Sequence, residues 1–357
     1  MNVLDNHKII KKLDKRNVLG SIESLALQCQ QAWDEVKRVK IPKAYRNINN
    51  VVISGMGGSG LGGHIIQSLF FSKLKTPVKV LNSYDISADV GNKTLFIASS
   101  YSGSTEETLR TFKQALARRA KVMVITSDGL LGRWAKKYKV PAYIFEPRYN
   151  PCGQVRLGLG YSILGQIGLF KKAGILNFAD KDLEMVTRVI IKGHREFGVK
   201  MKSNKNKAKK IALSLRNKVP FLVGSEFLAG NAHVASNQLN ENAKNFATYF
   251  FIPELNHHLM EGLAYPKAAK KLLKFWLIES DFYLSKNQAR YKVTKQVIKK
   301  NGFDFVSYKA KAKTKLEQSF EILLLGSYVS FYLAMLNNLD PSRIPWVEFF
   351  KKELAKL

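Results

Sequence analysis

Hydroxyl side chains are concentrated in one short segment of this chain. Five serines and threonines lie within Ser100–Thr108, directly after the apolar run Leu95–Ser99. Hydroxyl groups and free backbone N–H groups at the start of a helix together suit a phosphate monoester. The alternative is an ordinary helix cap, with Thr105 as the capping residue and Glu106 and Glu107 favouring the helix dipole. The segment alone leaves both interpretations open.

A glycine-rich segment lies ahead of it in the chain. The β-branched run Val51–Ile53 leads into Gly55-Met56-Gly57-Gly58-Ser59-Gly60, and the amphipathic segment Ile65–Phe71 follows. This order predicts a buried strand, a tight turn and a helix, and glycines let successive N–H groups point at an oxyanion. Because parallel sheets bind ligands beyond the carboxyl ends of their strands, two such turns in succession favour the phosphate interpretation.

A carboxylate and two histidines stand out in the second half of the chain. Glu241 lies in the polar run Asn237–Lys244, and His257 and His258 follow the run Thr248–Ile252. A glutamate at a helix end and a histidine just past a strand end can meet in one cleft. There the glutamate acts as a general base and the histidine moves a proton at oxygen. A surface carboxylate and a structural histidine are the plainer alternatives, which the residues alone favour.

Alternating strands and helices must position these residues. After the first strand, the pattern predicts strands at Pro77–Leu81, Leu95–Ser99, Val122–Thr126, Ala142–Phe145, Phe221–Ser225, Thr248–Ile252, Leu272–Ile278 and Phe303–Tyr308. It predicts helices at Thr105–Arg118, Asp128–Tyr138, Gly158–Lys172, Lys181–Arg195, Val234–Ala243, Arg290–Lys300, Leu316–Leu336 and Val347–Ala355. This alternation indicates the α/β class, with doubly wound parallel sheets of flavodoxin-like type.

The order of elements in the second half repeats that in the first, which suggests a duplication. We expect an N-terminal helical segment at residues 1–45 that packs on the first domain. That domain spans 46–200 and carries the phosphate turns. A second α/β domain at 201–339 carries Glu241 and His257, and a C-terminal helix occupies 340–357.

The composition is that of a soluble globular protein. Of the 357 residues, 46% are apolar, and the N-terminus shows no signal peptide. The longest apolar stretch, Ile322–Leu336, is too short for a membrane span and predicts a buried core helix. Cys29 and Cys152 are too few for a disulfide framework or a zinc cage. We therefore expect a cytoplasmic protein with no membrane partner.

The charge is strongly positive. Fifty-eight lysines and arginines against 27 acidic residues give +31, a field that attracts polyanions, membranes and small anionic substrates alike. The densest tract, Lys200–Lys210, has no aromatic residue for base stacking. We interpret it as a solvated linker and helix start, and we expect no nucleic-acid partner.

Four motifs stand in one order along the chain: Gly55-Met56-Gly57-Gly58-Ser59-Gly60, Ser100–Thr108, Leu239-Asn240-Glu241-Asn242-Ala243-Lys244 and Pro253-Glu254-Leu255-Asn256-His257. Together they resemble the bifunctional phosphoglucose/phosphomannose isomerase family, which is built from two sugar-isomerase (SIS) domains. The resemblance runs from roughly residue 45 to the C-terminus. The glycine and hydroxyl motifs alone indicate only a sugar phosphate, whereas the Glu241 and His257 motifs in this order are far more specific.

The resemblance implies a role for each site residue. It implies that six residues hold the substrate phosphate: Gly57, Gly58, Ser59, Ser100, Ser102 and Thr105. Glu241 matches the base that moves a proton between C1 and C2. His257 matches a histidine that assists ring opening across a dimer interface, with the adjacent His258 as the alternative. Arg156 matches an arginine beside the developing enediolate, and Lys351 matches a lysine of ring opening.

The reaction implied by the resemblance is reversible isomerisation of glucose 6-phosphate and mannose 6-phosphate with fructose 6-phosphate. It proceeds through a cis-enediol and needs no metal or cofactor. Rotation about C2–C3 would let one planar intermediate be reprotonated on either face, which explains two epimeric products. The alternative is a non-catalytic SIS-type sensor that binds a sugar phosphate and, through its basic surface, nucleic acid. A sensor has no use for Glu241 together with His257.

Overall fold

Two parallel sheets organise the chain, of which the computed structural model describes residues 3–356. The strands are β1 (Asn50–Ser54), β2 (Val78–Leu81), β3 (Thr94–Ser99), β4 (Lys121–Thr126), β5 (Ala142–Ile144), β6 (Val219–Ser225), β7 (Thr248–Ile252), β8 (Leu273–Glu279) and β9 (Asp304–Lys309). Their orders are β2-β1-β3-β4-β5 and β7-β6-β8-β9, and all neighbours are parallel. The predicted α/β class with two flavodoxin-like parallel sheets is confirmed, and both halves use the same strand order, as a duplication predicts.

Helices connect and cover these strands. They are α1 (His7–Leu13), α2 (Val18–Glu23), α3 (Leu25–Val36), α4 (Gly58–Leu69), α5 (Glu106–Ala117), α6 (Gly129–Lys137), α7 (Leu159–Lys172), α8 (Asp180–Phe197), α9 (Lys207–Leu215), α10 (Ala229–Ala243), α11 (Leu255–Gly262), α12 (Ala269–Leu272), α13 (Ser285–Lys300), α14 (Lys315–Leu336) and α15 (Pro345–Leu354). Every predicted helix is present, although α10 and α13 begin several residues before the predicted Val234 and Arg290. Two short helices, α11 and α12, were not predicted.

The longest helix, α14, forms the centre of the core. It packs against α8 and α9 on one side and α10 on the other, and its apolar residues are buried on all faces. Within residues 3–356 it is the one helix long and apolar enough to cross a membrane, and all of that stretch lies inside the protein. The prediction of a buried core helix at Ile322–Leu336 is therefore confirmed.

The lysine-rich tract is only partly solvated, so the prediction for it is wrong at one position. Lys209 is fully buried, and its Nζ donates to Oδ1 of Asp5 and to the carbonyl of Val199, both at 2.9 Å. Asn206 caps α9 by accepting a hydrogen bond from the Lys209 backbone N–H. The cap sets the helix rotation that turns this one lysine inward, where a carboxylate compensates the buried charge.

Candidate active site

The glycine turn joins the end of β1 to the start of α4. Gly57 has φ +46°, a left-handed conformation that favours glycine. A Cβ on Gly55 would lie 2.8 Å from the carbonyl oxygen of Ser99, and one on Gly58 would lie 2.8 Å from the backbone nitrogen of Arg156. Glycine at these positions therefore lets the turn approach both the end of β3 and the segment that carries Arg156.

The hydroxyl turn lies beside it, because β1 and β3 are neighbours in the sheet. Oγ of Ser99 donates to the carbonyl of Ser59 at 2.9 Å, and Oγ of Ser59 accepts from the backbone N–H of Tyr101 at 2.9 Å. The N-termini of α4 and α5 thus open at the same edge of the sheet. This is the arrangement predicted for an anion site.

Within the hydroxyl turn, the side chains divide into buried and exposed groups. Ser100 is buried, and its Oγ bonds to Oγ1 of Thr105 at 2.8 Å. Thr105 occupies the N-cap position of α5, with Glu106 and Glu107 in the first turn, as the capping alternative predicts, but its side chain makes no capping hydrogen bond. Ser102 and Ser104 are exposed, with their hydroxyl oxygens 3.1 Å apart. Ser100 and Thr105 therefore organise the turn, while Ser102 and Ser104 face outward.

Arg156 stands on the short 3-10 turn Val155–Leu157 and is 2% exposed. Its Nε donates to Oδ1 of Asn242 at 2.5 Å. Its Nη1 donates to Oε1 of Gln154 at 2.8 Å and to Oε2 of Glu241 at 3.2 Å. Its Nη2 donates to the carbonyls of Pro341 and Ser342 at 2.9 and 3.2 Å. All five guanidinium N–H donors are thus occupied, which fixes the charge in one place.

Glu241 lies in the last turn of α10, and 30% of its side chain is exposed. Its Oε2 binds Arg156, whereas its Oε1 makes no hydrogen bond to the protein within residues 3–356. Burial raises the pKa of the Glu241 carboxyl, and the Arg156 guanidinium opposes that rise. The carboxylate is therefore held by one oxygen and can accept a proton at the other.

Two further cations act on this carboxylate. Lys244 ends α10, and Lys351 lies on α15 with its side chain exposed. Their positive charges also oppose the rise in the pKa of Glu241. The structure thus brings Arg156 and Glu241 into contact, and it places Lys351 close enough to act on Glu241 electrostatically.

The two histidines stay outside this cluster in a single chain. Both His257 and His258 are exposed on α11, which packs against β7 and α13. Hydrogen bonds from the backbone N–H groups of Asn256 and His257 to the carbonyls of Pro253 and Glu254 start this helix directly after the strand. Within the described chain neither histidine contacts Arg156 or Glu241, so their role stays a prediction.

Several residues of the cluster were not predicted as site residues. Asn242 and Gln154 bind Arg156: Asn242 stands in the same motif as Glu241, and Gln154 lies two residues before Arg156. The buried carbonyls of Pro341 and Ser342 carry no signal in the sequence, because any residue type supplies a carbonyl. Residues 3–356 contain no group of three histidine, cysteine or acidic side chains that could hold a metal ion.

The two parallel sheets, one with adjacent glycine and hydroxyl turns and the other with an arginine-bound glutamate, are those of a protein of the SIS class. The SIS domain model matches residues 44–135, and the model of the bacterial phospho-glucose isomerase C-terminal SIS domain matches residues 204–354. The chain belongs to the bifunctional phosphoglucose/phosphomannose isomerase family, as its sequence motifs indicate.

The relatives support this membership over almost the whole chain. The bifunctional phosphoglucose/phosphomannose isomerase of Caldicellulosiruptor bescii is 33% identical, over 94% of this chain and 98% of the relative. The protein of the same name from Thermoplasma volcanium is 32% identical, over 94% and 99%. The solved structure of a hypothetical protein from Thermus thermophilus shares the fold, with a TM-score of 0.73 and 16% identity over 98% of this chain and 92% of that chain.

Proposed function

We propose that this chain catalyses the reversible isomerisation of glucose 6-phosphate and mannose 6-phosphate to fructose 6-phosphate through a cis-enediol. The proposal rests on one observation: the partly buried hydrogen bond between Arg156 and Glu241, beside the glycine turn. This contact combines an anion-binding turn, a fixed cation and a carboxylate with one available oxygen. Aldose–ketose isomerisation of a phosphorylated sugar requires these three groups.

In this proposal the substrate phosphate lies between the two turns. Backbone N–H groups of the glycine turn and hydroxyls of the second turn bind it, from Gly57, Gly58, Ser59, Ser100, Ser102 and Thr105. The hydroxyl of Ser59 already accepts a hydrogen bond, so its O–H is available as a donor. Binding the non-reacting phosphate orients C1 and C2 of the sugar relative to Glu241.

The proton moves between C1 and C2 on Oε1 of Glu241. Its raised pKa makes this carboxylate a stronger base than an exposed glutamate. Arg156 stabilises the enediolate through its fixed charge, because its N–H donors are already bound within the protein. Reprotonation of C2 on either face gives the two epimers.

Ring opening is assigned to His257 of a second copy and to Lys351. Both histidines of α11 are solvent-exposed in one chain, which supports a position at an interface between two copies. The exposed aromatic side chains Phe246 and Phe251, before and within β7, support a homodimer through this face.

The cellular setting follows from the same proposal. A metabolic isomerase of this family suits the cytoplasm, uses no cofactor and has no need of a nucleic-acid partner. The domain division at 46–200 and 201–339, between a helical segment at 1–45 and a C-terminal helix at 340–357, belongs to the proposal as well.

The test is fructose 6-phosphate formation from each of the two aldose phosphates by wild type and by Glu241→Gln. We expect the substitution to abolish turnover of both substrates and to preserve binding of a phosphate ester. Glu279→Gln is the matched control, because Glu279 forms an ion pair with Lys295 at 2.7 Å on β8. A wild-type protein that turns over neither substrate and binds DNA in a salt-sensitive manner would support the sensor instead.

A further inference from the structure

The linker between α14 and α15 is bound by cations of the site. It spans residues 337–344 and includes Asp340, Pro341 and Ser342, of which Ser342 is 1% exposed. The carbonyl of Asp340 accepts a hydrogen bond from Nζ of Lys244 at 2.7 Å. The next two carbonyls accept from Nη2 of Arg156. Three consecutive backbone carbonyls are therefore bound by two cationic side chains.

Both cations also lie next to Glu241. Arg156 binds its carboxylate directly, and Lys244 follows it three positions later at the end of α10. Lys244 has φ +50°, in the left-handed region that favours glycine or asparagine at a helix end. This conformation lets Nζ reach both the carbonyl of Asn242, at 3.2 Å, and that of Asp340.

Helix α15 depends on this linker for its position. It has no buried residue, and Trp346, Phe349 and Phe350 on it are more than half exposed. Lys351 on α15 nevertheless acts on the charge of Glu241. Because none of its residues is buried, the position of α15 is set by the linker that precedes it.

We propose that Lys244 is a positioning residue of the isomerase site: by binding the linker carbonyl of Asp340 it fixes the linker that leads into α15, the helix that carries Lys351. The inference rests on the proposed function. Lys244 and Arg156 act together, because Lys244 binds the carbonyl of Asp340 and Arg156 binds the next two carbonyls. Lys244 itself touches no reacting atom.

The charges around Lys244 agree with this role. Burial and the neighbouring Arg156 lower its pKa to about 8, while Asp340 and Glu241 oppose the change and Arg343 adds to it. Lys244 therefore contributes a positive charge at neutral pH, and loss of that charge raises the pKa of Glu241.

The test compares Lys244→Met with Lys244→Arg. For Lys244→Met we expect kcat to fall by about tenfold with little change in KM, and the acidic limb of the rate profile to move to higher pH. Amide hydrogen exchange in α15 is expected to become faster. Lys244→Arg keeps the charge and a donor, so it is expected to restore most of kcat and the wild-type acidic limb.

Lys172→Met is the matched control, because Nζ of Lys172 also joins a helix end to a backbone carbonyl, that of Lys37, at 2.7 Å. If Lys244→Met matches this control in kcat, acidic limb and exchange of α15, the inference is overturned. If Lys244→Met does not fold, Lys244→Gln is measured in its place: a lower kcat with faster exchange in α15 supports the inference, and values equal to those of Lys172→Met overturn it. A wild type without isomerase activity instead refutes the proposed function.

Discussion

Nη1 of Arg156 donates to Oε2 of Glu241 at 3.2 Å, and this hydrogen bond joins the two halves of the chain. Arg156 follows the first sheet, and its backbone lies against Gly58 of the phosphate turn. Glu241 ends a helix of the second sheet. One contact therefore links the segment that lies against the glycine turn to the helix that carries Glu241.

Replacing Arg156 tests the importance of its geometry as opposed to its charge. In Arg156→Lys the charge stays, but three donors replace five, so some of the acceptors around it lose their partner. We expect kcat/KM to fall by about 10²-fold or more on both substrates. The control is Arg110→Lys, because Arg110 on α5 forms an exposed ion pair with Asp85. Equal kcat/KM for the two variants would contradict the account.

The pH dependence follows from the raised pKa of Glu241. The base must be ionised, so kcat/KM falls as the pH falls through this pKa, and we expect the acidic limb above the ordinary value of 4.5. The raised pKa also means that the folded state holds the proton more tightly than the unfolded chain. Its contribution to stability is therefore present at low pH and is lost as pH rises through the raised pKa.

Two measurements check both statements. The first is a profile of kcat/KM against pH for the wild type. The second is the free energy of unfolding of wild type relative to Glu241→Gln across the same range, which is expected to decline as the pH rises. An acidic limb at or below pH 4.5 is incompatible with the raised pKa of the partly buried Glu241 carboxyl.

Gly58→Ala tests the close approach of the phosphate turn to Arg156. The new Cβ would lie 2.8 Å from the Arg156 backbone nitrogen and 2.8 Å from Cγ1 of Val155. We expect a loss of about 1–3 kcal/mol in stability and a higher KM for both sugar phosphates. Gly91→Ala is the control, since its Cβ would meet no atom within 4 Å. Identical denaturation midpoints and KM values for the two variants would refute this packing.

Mixing two inactive variants tests whether His257 acts across an interface. In a heterodimer of Glu241→Gln and His257→Ala, one site carries both changes and the other carries neither. We expect subunit exchange to restore about one quarter of wild-type activity. If the histidine acts within its own chain, the mixture stays inactive.

His258→Ala is expected to be active by itself, and an inactive His258→Ala beside an active His257→Ala would reverse the assignment.

The sequence predicts the sheets and the turns after β1 and β3 well because their signals are local, whereas phosphate binding at these turns stays a prediction. β-branched runs such as Val51–Ile53 and the turn residues after them are contiguous in the chain. The burial of Lys209 was missed because it depends on Asp5, which lies far away in the sequence. The linker carbonyls that bind Arg156 were missed for a similar reason, because backbone acceptors have no residue signature.

The most direct test of the central claim is conversion of fructose 6-phosphate in D₂O, followed by NMR at C2 of the products. We predict that wild type and Glu279→Gln form glucose 6-phosphate and mannose 6-phosphate, with deuterium at C2 in the fraction of turnovers in which the proton on Glu241 exchanges with solvent before delivery, and that Glu241→Gln forms neither product. Turnover by Glu241→Gln at a rate near that of Glu279→Gln would contradict Glu241 as the proton-transfer group.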